Sequence, residues 1–213
     1  MGPEIPQQIA SVGLDDWYVS LSDPDRVRLR RYLDSDPSSK EAFLSEVMRR
    51  SSEDHNYNLS VTAGKFAVDL PLDDFRLFMV REGLIDGLAN AGAYAEAKDQ
   101  CRMNLELLPA IRDELLAANG GELPKGMMCR NRLIDIMVGI ESDYDGALAL
   151  LDEFAASGVM DPEELGYRKQ SLKIHRMQKS FDSLFTYRPK ERIPSKGASG
   201  LCRCRVPRKD GCS

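Results

Sequence analysis

Leu84 to Pro109 reads LIDGLANAGAYAEAKDQCRMNLELLP, and the fold depends on how this stretch divides. Leu84, Ile85 and Leu88 recur at helical spacing. Tyr94, Ala97, Cys101, Leu105 and Leu108 do the same on a second stripe. Small Ala91 and Gly92 between them allow a sharp turn and a close approach of the flanking helices. Pro109 has no backbone donor and is expected to end or kink the second helix. The stretch predicts a helical hairpin.

Working outward, weaker copies flank it. Tyr57 lies 37 residues before Tyr94, and Pro71 lies 38 before Pro109. Asn56 to Pro71 therefore reads as a second helix of an earlier hairpin, preceded by Ser39 to Arg50 with Phe43, Leu44, Val47 and Met48 on one face. Downstream, Met79-x-Arg81-x-x-Leu84-Ile85-Asp86 recurs as Met128-x-Arg130-x-x-Leu133-Ile134-Asp135, and Tyr144 and Ala147 echo Tyr94 and Ala97. In this later copy Ser142 replaces the turn glycine, one residue is added before Tyr144, and Gly158 replaces the closing proline. The intervening Ala110 to Lys125 is expected to add a helical turn or two, closed by Asn119-Gly120-Gly121.

Residues 1–13, with Pro3, Pro6 and Gly13, read as an irregular arm, followed by a short helix that buries Trp17. Ser22-Asp23-Pro24-Asp25 starts a further helix, with a capping side chain and an early proline. Glu41, three residues after Ser38, has capping-box spacing. Asp161-Pro162-Glu163-Glu164 opens a last long helix. Leu165, Leu172, Ile174, Met177, Phe181, Leu184 and Phe185 are assigned to its apolar side, and its basic residues to the polar outer face that ends a helical stack. Three segments result: an N-terminal arm with helices at 1–37, a helical body at 38–188, and a basic tail at 189–213 without apolar periodicity, expected to be disordered.

The leucines of the first helix, the Gly92-Ala93-Tyr94 turn, Ala97 and Pro109 resemble a tetratricopeptide repeat, whose period is about 34 residues. The resemblance spans about Ser38 to Gly158. It implies an all-α fold of stacked antiparallel hairpins in a right-handed arc and a non-enzymatic, protein-binding role. It also implies a concave groove lined by first-helix residues. By register these are Met79, Glu82, Asp86, Ala89 and Asn90, joined by Met128, Asn131 and Asp135. Such a groove is acidic and fits a basic peptide or helix.

Charge is divided unevenly. The net value is −5, but residues 166–213 hold 13 basic residues against Asp182, Glu191 and Asp210. The basic end is therefore a second candidate ligand for the acidic groove. The alternative is a regulatory peptide receptor or a nucleic-acid-associated regulator using the basic tail; phosphate contacts through Arg203, Arg205, Arg208 and Lys209 are opposed by the acidic body and the absence of aromatic residues to stack on bases. The sequence sets no oligomeric state.

Chemistry has little to stand on. His55 and His175 are far apart in sequence and read as surface or capping residues. GGELPKG lacks the spacing of a phosphate loop. Cys202, Cys204 and Cys212 supply three thiols where a structural zinc site needs four ligands, so no metal or other cofactor is expected. Cys101 and Cys129 read as packing residues. Five scattered cysteines, no secretory signal and no bilayer-length apolar run predict a cytoplasmic protein that does not cross a membrane.

Overall fold

The computed structural model describes residues 3–34 and 37–185, the last four by backbone alone. Among the described residues the chain is helical and contains no strand. The elements are α1 (Gln7–Ser11), α2 (Asp15–Ser20), α3 (Asp23–Leu29, extended by a 3-10 turn Arg30–Tyr32), α4 (Lys40–Glu53), α5 (Tyr57–Val68), α6 (Asp74–Asn90), α7 (Tyr94–Ala118), α8 (Met128–Asp135, extended by a π-helical turn Ile136–Ile140), α9 (Tyr144–Ala156) and α10 (Pro162–Phe185).

Local chemistry starts these helices. Ser22, Ser39, Asp73 and Asp143 each accept a backbone N–H from the first turn of α3, α4, α6 and α9. The cap of α4 is Ser39, one residue later than the Ser38–Glu41 spacing predicts, and Glu41 pairs with Arg76 at 3.2 Å instead.

Three turns close their helices alike. His55 (φ 57°), Gly92 (φ 78°) and Ser142 (φ 60°) all adopt the left-handed conformation, each two residues before a tyrosine. The residue after each donates its N–H back into the closing helix: Asn56 to the Ser51 carbonyl at 2.7 Å, Ala93 to Leu88 at 2.9 Å, and Asp143 to Met137 at 2.8 Å. No atom lies within 4 Å of where a Cβ at Gly92 would sit, so its backbone angle, and not close helix approach, is what calls for glycine there. Close approach is found at Gly64, where a Cβ would stand 2.9 Å from Met48 Sδ and 3.1 Å from Leu84 Cβ. The residue added before Tyr144 is taken up by the π-helical turn, so the hairpin geometry survives the insertion.

Pro109 does not end the second helix. α7 runs through it to Ala118, so the first part of the expected insertion continues the same helix. Buried Ala97, Cys101, Asn104, Leu108, Ile111 and Leu115 stay in one phase, while Pro109 lies on the exposed face. Burying Ile111 and Leu115 at about 1.5–3 kcal/mol each offsets a proline cost of about 3 kcal/mol. α7 then closes at Asn119 as predicted, with Gly121 N–H on the Leu116 carbonyl at 2.8 Å.

Successive helices α4 to α8 pack on one another, α4 and α8 also touch α6, and α10 packs on α9. The N-terminal segment is not an arm. Ile9 of α1, Trp17 and Tyr18 of α2 and Leu29 of α3 share one core with Phe43, Leu44, Val47, Leu59 and Ala63. A second core joins α6 to α9 through Phe78, Ile85, Leu108, Ile111, Leu133, Ile134, Leu151 and Phe154.

α10 divides its expected apolar side in two: Leu165 and Leu172 face in as expected, whereas Ile174, Met177 and Phe181 face out, and the side chains of Leu184 and Phe185 lie outside the described ones. Leu165 and Leu172 pack on the second core, and the basic side chains lie beside them, toward the body. Arg176 pairs with Asp145 at 2.7 Å and Lys169 pairs with Asp152. Tyr167, Ile174, Met177 and Phe181 face outward. Polarity alone predicts an outer face for the basic residues. Acids on α9 draw them in.

Candidate functional site

The residues expected to line an acidic groove lie where α6 meets α8, and most are engaged there. Asn104 Nδ2 and the backbone N–H of Cys129 donate to the Glu82 carboxylate at 2.8 and 2.9 Å, and the N–H of Met128 donates to it as well. Met127, the residue preceding α8, offers no capping side chain, so Glu82 caps α8 from the neighbouring helix. Asp86 pairs with Arg132 at 2.5 Å, and Arg132 reaches Asn90 Oδ1 at 3.4 Å and Asp135 at 3.9 Å. Asn131 accepts from Arg168 at 2.7 Å and donates to the Lys125 carbonyl at 3.3 Å. Met128 is half-buried, Ala89 is buried and Met79 is exposed. What opens on this face is a dip of about 300 Å³ around Ala89, Asn90, Arg132 and Asp135. Arg132, which sequence reasoning left out, offsets the charge of Asp86 and stands between it and Asp135.

A larger cleft lies between α7 and α9, with a volume of about 960 Å³. Leu133 and Met137 of α8 and the π-helical turn contribute to its lining. Leu105 and Leu108 come from one side, Leu150 and Phe154 from the other. Arg102, Glu106, Arg112 and Glu153 bring both signs of charge to it. Arg112 is held by a 3.0 Å bond to the Gly158 carbonyl. Pro109 lines it too, and without an N–H cannot make the usual helical bond to the Leu105 carbonyl. Apolar lining with a few polar groups is what an amphipathic peptide requires.

Leu105 belongs to the apolar stripe of α7 and Leu150 to that of α9, and both are only partly buried against the second core. Spacing alone does not separate such edge positions from full core.

Buried polar groups around the cleft are structural. Arg130 is 2% exposed. It donates to the carbonyls of Val159 and Lys125 at 3.0 and 2.6 Å and to Glu164 at 2.9 Å, tying α8 to the start of α10. Arg81, at the matching position of α6, is buried with an Nε that has no hydrogen-bond partner. Cys101 and Cys129 are free and buried. Burial pushes the Cys101 thiol up to about 12 and raises the Cys129 thiol too, with Glu82 adding to both, which disfavours the thiolate form. His55 bonds Tyr57 at 2.7 Å and His175 bonds Tyr144 at 3.0 Å, both as side-chain partners within turns and packing.

Among the described residues no cluster of three or more His, Cys, Asp or Glu is placed to hold a metal ion. Also among them, no helix is long and apolar enough to cross a membrane. Cys202, Cys204, Cys212 and the basic tail lie outside the described residues. Comparison with protein-family models, with curated proteins and with solved structures finds no match for this chain.

Proposed function

We propose that the chain is a non-enzymatic interaction module whose hairpins stack in the manner of a tetratricopeptide-like solenoid. In this reading it binds an amphipathic helix or apolar peptide of a partner protein between α7 and α9. The observation that carries the proposal is the 960 Å³ cleft with leucines on both sides and opposite charges among its lining residues. The π-helical turn supports it, since Met137 lies both in that turn and in the cleft lining, and such irregularities occur often at functional sites. A helix laid along the cleft would place its apolar anchors against Leu105, Leu150 and Met137, with its own charges opposite Arg102 and Glu153.

The test is a selection of helical peptides on the full chain, followed by binding to Leu105→Glu/Leu150→Glu. Both side chains are only partly buried, at the edge of the second core, and an unchanged helical circular dichroism spectrum checks that the variant stays folded. Affinity is expected to fall more than about tenfold, a loss of about 1.4 kcal/mol or more. Peptides that bind the variant as well as the wild type would show that the cleft is not the site.

A further inference from the structure

α10 has two unlike faces. Toward the body lie Leu165 and Leu172, flanked by the Lys169–Asp152 and Arg176–Asp145 pairs, the Arg168–Glu164 pair at 2.8 Å and the Lys179–Ser142 bond at 2.5 Å. At about 100° per residue, the opposite side of the helix carries Tyr167, Ile174, Met177 and Phe181. These are 75%, 43%, 54% and 60% exposed. Residues 167, 174 and 181 fall at one position of a heptad and 177 at the other, the spacing of a coiled-coil seam.

We propose that this outer stripe is the interface of a homodimer, in which α10 of one copy packs antiparallel on α10 of a second copy. Three features select a second copy over other occupants. First, the stripe is self-complementary: Ile174 is its midpoint, so a two-fold axis there sets Tyr167 of each copy opposite Phe181 of the other. Second, charge permits it. Arg168, Lys169, Arg176 and Lys179 are engaged with partners on the body, leaving Lys173, among the described residues, as the one cation beside the seam, with Gly166, Gln170, Ser171 and Gln178 around it. An acidic partner helix would find few cations to meet, while two copies of α10 have little like charge to repel them. Third, α10 ends the described stack and packs on α9. A stack that ends in an apolar outer face needs that face covered.

The experiment is sedimentation equilibrium of the full chain across about 1–200 µM, with Ile174→Glu, Ile174→Lys and their equimolar mixture. The wild type is expected to shift with concentration from 23.8 kDa to twice that mass. Each variant alone should be monomeric, with association weakened at least about thirtyfold and helicity unchanged, and the mixture should restore the dimer through the opposite charges. Phe181→Glu, in the more exposed outer half of the helix, supplies a second variant if either Ile174 substitution disturbs folding. A wild type at 23.8 kDa throughout would overturn the proposal and leave the face to another occupant, such as the chain's own C-terminal residues or a foreign helix. Variants that dimerise as well as the wild type would place the interface elsewhere and overturn it too.

Discussion

The carboxylate of Glu82, on α6, accepts the backbone N–H of Cys129, on α8, at 2.9 Å. It also accepts the N–H of Met128 and the side-chain amide of Asn104. One acid thus satisfies two amides that α8 leaves open and links three helices. Glu82→Ala is expected to destabilise the chain by about 2–3 kcal/mol, and Glu82→Gln, which keeps an acceptor but no charge, by about 1 kcal/mol. Urea unfolding midpoints measure both. If alanine and glutamine cost the same few tenths, α8 does not depend on this cap.

Ser142 holds the left-handed conformation that Gly92 holds in the neighbouring turn, and a side chain there is strained. Ser142→Gly is therefore expected to stabilise the protein by about 0.5–1 kcal/mol, less the exposed bond from Lys179. Gly92→Ala should cost about 1–2 kcal/mol through the same angle, without a clash. Opposite shifts in thermal midpoint are the signature. Shifts of the same sign would separate the two turns.

The π-helical turn Ile136–Ile140 stores one residue more than an α-helix of that length needs. Deleting Gly139, which is exposed and has open space around it, should return the segment to α-helical pairing and leave unfolding cooperative, at a cost of about 1–2 kcal/mol. Deleting Gly87 from α6, which has no spare residue, should abolish cooperative unfolding. Near-ultraviolet circular dichroism and denaturant curves tell the two apart.

Tyr32 is pushed up to about 12, first by burial and then by its bond to Asp54 at 2.7 Å. Its folded value exceeds the unfolded one, so this stability is fully present below about pH 10 and declines as pH rises toward 12. Absorbance at the tyrosinate band should show a late-titrating component that Tyr32→Phe removes. The variant should also lose less stability than the wild type across that window. A wild type whose tyrosines all titrate together near pH 10 would contradict the packing at Tyr32.

Much of this fold is legible in the chain because spacing reports burial. The stripes at Phe43, Leu44, Val47 and Met48 and at Ala97, Cys101 and Leu108 are core stripes. Turn chemistry was half legible: glycine at 92 announces a left-handed angle, whereas His55 and Ser142 adopt it under tertiary constraint. Pro109 misleads because helix propensity is a local quantity, and Ile111 and Leu115 outweigh it from the next turns. α10 misleads because a helix with a mixed inner face and an apolar outer face defies the usual rule, and only its acidic neighbours reveal which side faces in. Glu82 and Asp86 stand on α6, and their partners stand on α8. Sequence spacing does not report that Glu82 and Asp86 find partners there, since Cys129 and Arg132 lie more than 40 residues away.

The most direct measurement is amide chemical-shift mapping of the full chain with a helical peptide selected against it. Perturbations are expected to gather on Leu105, Glu106, Ala149 and Leu150, the facing walls of the α7–α9 cleft. Perturbations gathered instead on Met79, Asp86 and Asp135, with the cleft amides unmoved, would contradict the account and return binding to the α6–α8 face.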